Sequence, residues 1–228
     1  MTVPAFRSSS LSPLASLAAI ALIGALGACK SGGGELVVDD SVGVTALRSP
    51  CPIVQIPEMT GDVTVFSAPD RRDAGAIDLT ASITNLRSTC DDAKGGSELH
   101  TEATFDVLAR RSDTRGSRRV VLPYFSVVMR GGNVVIAKRL GSVTLDFADG
   151  QERAQAQGRA GSAVNRAEAT LPDNVRKLLT RKRKAGQADA ATDPLALPEV
   201  RTALAKASFE LLVGFQLTDA QLAYNATR

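Results

Sequence analysis

Residues 98–107 alternate strictly, with Leu99, Thr101, Ala103, Phe105 and Val107 on one side and Glu98, His100, Glu102, Thr104 and Asp106 on the other. Successive side chains of a β-strand point to opposite faces, so this spacing buries its apolar set only as a half-covered strand. The same period recurs along the chain. Ile77, Leu79, Ala81 and Ile83 alternate with Asp78, Thr80, Ser82 and Thr84. Val143, Leu145 and Phe147 alternate with Ser142, Thr144 and Asp146, and Phe209, Leu211, Val213, Phe215 and Leu217 with Ser208, Glu210, Gly214 and Gln216.

Residues 120–129 are apolar on both faces, which predicts a central strand covered on both sides. Pro123 lacks an N–H to give to a ladder, so a bulge or an edge position is expected there. Gly131-Gly132 supplies the positive φ angles of a tight hairpin, and Val134 to Ile136 opens the returning strand. Weaker patterns place strands at 53–56, 63–66 and 160–169. About seven or eight short strands predict a mainly β chain, an antiparallel β-sandwich of Ig-like architecture. The Cys…Trp…Cys signature of immunoglobulin domains is missing, since the chain has no Trp. The five residues Phe105, Phe125, Phe147, Phe209 and Phe215 all fall in strand patterns and are expected in the core.

Helical signals are confined to the last third. Asp173 is placed to cap a helix running to about Lys184, and Pro198 suits the first turn of a helix over 199–207. Residues 185–193, rich in Ala, Asp and Gly, read as a linker. Thr218 with Gln221 forms a capping box, from which Leu222 and Tyr224 are expected to fold back over the sandwich.

The N-terminus obeys a different rule. Arg7 gives positive charge, no acid precedes Glu35, and Leu14 to Leu26 is apolar apart from small interruptions. About 13 residues span roughly 20 Å as a helix, short of a roughly 30 Å hydrocarbon core, so a secretory signal is favoured over a membrane-spanning helix. The run ends in Leu26-Gly27-Ala28-Cys29, which resembles the lipobox of bacterial lipoproteins. That resemblance implies cleavage after residue 28, diacylglyceryl attachment at the Cys29 thiol, and acylation of the new amino group. Several acyl chains anchor stably where one would be marginal. Lys30, rather than aspartate, follows the cysteine; in families where sorting is understood this favours the outer membrane over inner-membrane retention. Residues 29–50 then carry the lipid and a flexible tether (Lys-Ser-Gly-Gly-Gly), and 51–228 form the sandwich, with a basic helical and linker insertion near 172–207.

About 200 residues remain after cleavage, enough for one domain with a real core. The formal charge of +3 drops by one with Arg7, too balanced for a nucleic-acid binder. Cys51 and Cys90 are the two cysteines left, an even pair that in an oxidising compartment predicts one disulfide; two buried thiols are the alternative. One His and no CxxC leave too few ligands for zinc, so no metal and no cofactor are expected.

Other motifs carry little chemistry. Asp39-Asp40 and Asp91-Asp92 sit beside turns, where Asp solvates backbone. His100 falls on a polar strand face, no GxSxG occurs, and Gly32 to Gly34 lacks the strand and GK[ST] of a phosphate loop. Asn225-Ala226-Thr227 matches a glycosylation sequon by chance. The distinctive cluster is Arg176, Lys177, Arg181, Lys182, Arg183 and Lys184, six cations in nine residues, expected to be exposed. It is a candidate contact for anionic lipid, cell wall or an acidic partner, with a solvated insertion as the plain reading. The Cys-Pro at 51–52, Leu-Pro-Tyr-Phe at 122–125 and Gly-Phe-Gln-Leu-Thr at 214–218 resemble uncharacterised envelope lipoproteins of alphaproteobacteria, a likeness that carries no activity. The expected function is therefore a non-enzymatic, lipid-anchored envelope lipoprotein at the periplasmic face of the outer membrane, binding another envelope component. The alternative is a small-molecule binder or hydrolase with a pocket between the sheets.

Overall fold

A computed structural model describes residues 41–42, 49–92, 96–184, 186 and 192–227. Two four-stranded sheets face each other, and a two-stranded ribbon forms a separate pairing. The strands are β1 (Ser41–Val42), β2 (Ile53–Gln55), β3 (Asp62–Phe66), β4 (Ile77–Asp91), β5 (Glu98–Arg111), β6 (Arg118–Arg130), β7 (Val134–Phe147), β8 (Arg153–Asn165), β9 (Arg183–Lys184) and β10 (Phe209–Phe215). One sheet runs β2-β10-β6-β7, the other β3-β4-β5-β8, and β1 pairs with β9. The helices are α1 (Arg166–Ala169), α2 (Asp173–Thr180), α3 (Pro198–Ala207) and α4 (Asp219–Thr227). The expected sandwich is thus present, with short helices late in the chain.

The alternating sets meet between the sheets. Leu79, Leu99, Phe105, Val107, Leu145, Leu211 and Val213 are all buried in one apolar cluster. Tyr124 bridges the two sheets. Its hydroxyl donates to the Arg159 carbonyl at 2.5 Å, and its ring meets Phe105 edge-on with centroids 5.2 Å apart, as such pairs prefer. One pairing departs from the antiparallel rule: β2 runs parallel to β10. The two are joined by most of the chain rather than by a hairpin, so no tight turn imposes an antiparallel course.

Several elements differ from the sequence pattern, each for a local reason. β4 runs on to Asp91 past a bulge between Thr84 and Arg87, where Asn85 takes φ 51°. β6 is covered on both faces only at Ser126 to Val128; nearer its start Pro123 is exposed and Val121 is 55% exposed. Pro123 lies one residue past the last β10 rung, Tyr124↔Phe215, and the bulge falls at Val128/Met129 instead. Phe125 points away from the core, because its neighbour Tyr124 takes the inward position; the other four Phe are buried. The helix expected to reach Lys184 stops at Thr180, since Arg183–Lys184 pair as a strand with Ser41–Val42. Asp173 is the first residue of α2 rather than its cap, which is Pro172.

β8 begins seven residues before the expected position and ends at Asn165, whose side chain caps α1 by accepting from Ala167 N at 2.9 Å. Its inward residues from 154 to 160 are Ala154, Ala156, Gly158 and Ala160, too small to stand out as an apolar period, and only Val164 near its end is a larger inward residue. The reason for smallness lies across the ladder. Phe105 pairs with Gly158, and a Cβ there would lie 2.2 Å from the Phe105 ring. Gly158→Ala is therefore expected to lower stability by about 1–3 kcal/mol through overpacking. Gly161→Ala on the same strand, where a Cβ meets only an ordinary 3.5 Å contact, should be close to neutral. Thermal melts of both variants check this; equal midpoints would refute the packing account.

The capping box forms as expected. Thr218 N donates to Gln221 Oε1 at 2.9 Å and Gln221 N to Thr218 Oγ1 at 3.3 Å. Tyr224 folds back onto Phe66, centroids 5.0 Å apart, whereas Leu222 stays exposed. Asn225 is buried, its Nδ2 donating to the carbonyls of Met59 and Asp62 at 2.7 and 2.8 Å. A residue held this way ties α4 to β3 and is closed to glycosylation.

Candidate functional site

Two surfaces stand out, one apolar and one basic. The apolar surface is the first half of β7. β7 is an edge strand, paired on one side with β6 and open on the other. Seven consecutive residues, Val134 to Leu140, are exposed, with Val135 at 59% and Leu140 at 67%. Natural edges are kept short, charged or covered, so a long apolar one calls for a reason. Here Lys138 and Arg139 follow the apolar run; the Lys138 ammonium sits 5.7 Å from the Phe125 ring centre. The strand at Val134 to Ile136 is legible in the apolar spacing but its exposure is not, because spacing alone does not reveal which strand lies at an edge.

The start of β7 is fixed by a turn and an arginine. Gly131 and Gly132 hold φ 63° and 78°, as the hairpin requires. Arg130 donates through Nε to the Lys206 carbonyl at 2.6 Å and pairs with Glu168 at 3.0 Å, binding the hairpin to α3 and α1. A groove of about 540 Å³ runs between Val134 and Ile136 on one side and Ala205 and Lys206 on the other.

The basic surface is built from α2 and β9. Val175 anchors α2 to the body, which turns Arg176 and Lys177 outward. Arg176 pairs with Asp173 at 2.6 Å, and Arg181, Lys182 and Lys184 are also exposed. Arg183 corrects the expectation that all six cations are exposed: it is buried, and its guanidinium donates to the Thr192 carbonyl. An alternating two-residue strand must turn one of its side chains inward, and Arg183 takes that place.

The remaining residues singled out in the sequence are scattered. Cys29, Asp39 and Asp40 lie outside the described residues, as does most of the 185–193 linker. Cys51 and Cys90 form a disulfide with Cα atoms 6.2 Å apart, joining the lead-in of β2 to the end of β4. Asp92 pairs with Arg166 at 2.6 Å, Asp91 is exposed at the end of β4, and His100 lies exposed on the outer face of β5. No group of metal-ligating side chains assembles among the described residues. The lowered carboxylates belong to neither surface. Arg118 beside Asp78, Arg115 beside Asp113 and Arg71 beside Asp73 hold those carboxyls below the usual range, through hydrogen bonds to the charged form.

Other grooves open on the outer face of β4, β5 and β8 rather than between the sheets. One of about 500 Å³ is bordered by Thr80, Ser82, Leu108, Arg110, Arg153 and Gln155. Comparison with protein-family models, with curated proteins and with solved structures gives no match for this chain.

Proposed function

We propose that this chain is a lipid-anchored lipoprotein of the outer membrane, non-enzymatic, whose periplasmic sandwich binds another envelope protein along the open edge of β7. The observation that carries the binding role is the exposed stretch from Val134 to Leu140, apolar except for Lys138 and Arg139, on an unpaired edge. An extended segment added to that edge gains main-chain hydrogen bonds from the ladder and side-chain contacts at alternate positions. Lys138 and Arg139 select a partner strand that brings carboxylates to that end. The anchor rests on the lipobox ending at Cys29, and Lys30 supports the outer membrane. The alternative of a ligand pocket between the sheets finds little support, since Phe, Leu and Val side chains from both sheets fill that space.

The anchor has a direct test. Cys29→Ala is expected to abolish incorporation of an alkyne fatty acid in growing cells; labelling equal to wild type would remove the anchor. The binding edge is tested by a photoreactive residue at Leu140, with one at Gln155 on the outer face of β8 as control. A discrete protein adduct is expected at Leu140, lost when Lys138 and Arg139 are both changed to Glu, and absent at Gln155. Equal adducts at both positions, or none at Leu140, would overturn the edge as the binding site.

A further inference from the structure

The β1–β9 ribbon joins two features that lie far apart in sequence. Ser41 pairs with Lys184 and Val42 with Arg183, so the N-terminal side of the chain meets the folded domain at the basic segment. Cys29 precedes Ser41 by about a dozen residues, which reach at most ~40 Å when extended and ~20 Å as a Gly-rich coil. A lipid on Cys29 therefore keeps this segment within a few nanometres of the bilayer whatever its intrinsic affinity. Weak contacts become effective at such imposed local concentration.

We infer that the exposed face of α2 and β9 (Arg176, Lys177, Arg181, Lys182 and Lys184) seats on anionic phospholipid headgroups and orients the sandwich with this end toward the membrane. The inference rests on the lipid anchor proposed above. Each cation near a negatively charged surface adds attraction that decays within a Debye length, about 8–10 Å at ordinary salt. Five exposed cations on one short segment meet that range together, and Leu178 among them is part-exposed, giving the face an apolar element. Arg183 plays no part in the contact, because its guanidinium is held inside by the Thr192 carbonyl.

The orientation follows from β8, whose 13 residues extend roughly 40 Å as a strand. α1 and then α2 follow its end, whereas its start lies beside the β5–β6 loop, where Arg111 N donates to the Glu152 carbonyl at 2.9 Å. The end carrying α2 is thus the membrane end, and the loop containing Ser117 is the distal end. The open edge of β7 runs between the two ends and stays accessible from the side.

Two measurements test the inference. Unlipidated full-length Cys29→Ala protein is sedimented with phosphatidylglycerol vesicles, phosphatidylcholine vesicles and isolated cell wall, at low and at moderate salt. Binding to phosphatidylglycerol is expected to exceed that to phosphatidylcholine more than tenfold and to fall as salt rises. The variant Lys177→Gln, Arg181→Gln, Lys182→Gln, Lys184→Gln should lose most of that excess while keeping the wild-type Tm. Equal binding of wild type and variant, or a preference for cell wall over phosphatidylglycerol, would overturn it. In the second measurement, Lys177→Cys or Ser117→Cys, introduced one at a time into lipidated protein with the Cys51–Cys90 bond intact, carries a fluorophore after reconstitution into phosphatidylglycerol vesicles with nitroxide lipid. Strong quenching at 177 and little at 117 is expected, and equal quenching would refute the orientation. Fatty-acid labelling reports the anchor separately: vesicle binding without labelling sinks the anchor and leaves the basic face standing.

Discussion

Replacing Arg111 with Met is expected to cost about 3–5 kcal/mol, a large share of the roughly 5–15 kcal/mol that holds a domain together. Arg111 is the last residue of β5 and is only 1% exposed. Its guanidinium donates to four backbone carbonyls, those of Gln151 (Nε, 2.8 Å), Gly116 (Nη1, 2.9 Å), Thr114 (Nη2, 2.8 Å) and Ala148 (Nη2, 2.8 Å). It also lies 5.2 Å from the Phe147 ring centre. These carbonyls belong to the β5–β6 and β7–β8 connections, so one side chain closes the same end of both sheets. Met fills much of the volume but offers no donor, leaving carbonyls short of a partner. Lys is also expected to fail in part, because a point ammonium cannot reproduce a planar fork directed at separate acceptors. Urea unfolding of wild type, Arg111→Lys and Arg111→Met checks the order. A loss below about 1 kcal/mol for Met would show that water replaces the guanidinium at little cost.

Arg111 also shows where sequence patterns stop being readable. The inward set of β5 runs Leu99, Thr101, Ala103, Phe105, Val107, Ala109 and then Arg111, in unbroken period two. A cation at an inward position looks like the end of a strand, because hydropathy does not register acceptors contributed by two distant loops. The first half of β8 was hidden for the opposite reason: its inward positions from 154 to 160 are Ala and Gly, which leaves Phe105 room, and small residues give almost no apolar signal. Strands with large inward residues, such as β5 and β10, were legible from spacing alone, as were the hairpin glycines and the capping box at Thr218. For the candidate sites, composition located the cations of 176–184 but not the pairing with Ser41–Val42 that buries Arg183, a contact formed across most of the chain. The exposure of β7 was equally invisible, since strand order decides which apolar run lies at an edge.

The second large effect concerns the Cys51–Cys90 bond. Changing both residues to Ser is expected to cost about 4 kcal/mol on the chain-entropy estimate, because the bond closes a loop of sequence separation 39. The loss should not be spread evenly. β2 is three residues long, pairs only with β10, and begins two residues after Cys51. Its partner strand β10 is held on the other side by β6 through seven paired positions, from Phe209↔Arg130 to Phe215↔Tyr124. Without the covalent link, β2 therefore detaches at less cost than any strand of the inner ladders. Hydrogen exchange on the double Ser variant should show protection falling first at the β2 amides that face β10. The amides shared by β5 and β8, paired over thirteen positions from Glu98↔Asn165 to Arg110↔Arg153, should exchange only with global unfolding. Intact protein kept oxidised should resist alkylation at both cysteines and yield a crosslinked 51–90 peptide pair in non-reducing mass spectrometry. Free thiols in that protein, or an unfolding midpoint unchanged by the double substitution, would mean that the lead-in of β2 is held by its ladder with β10 rather than by the sulfur bridge.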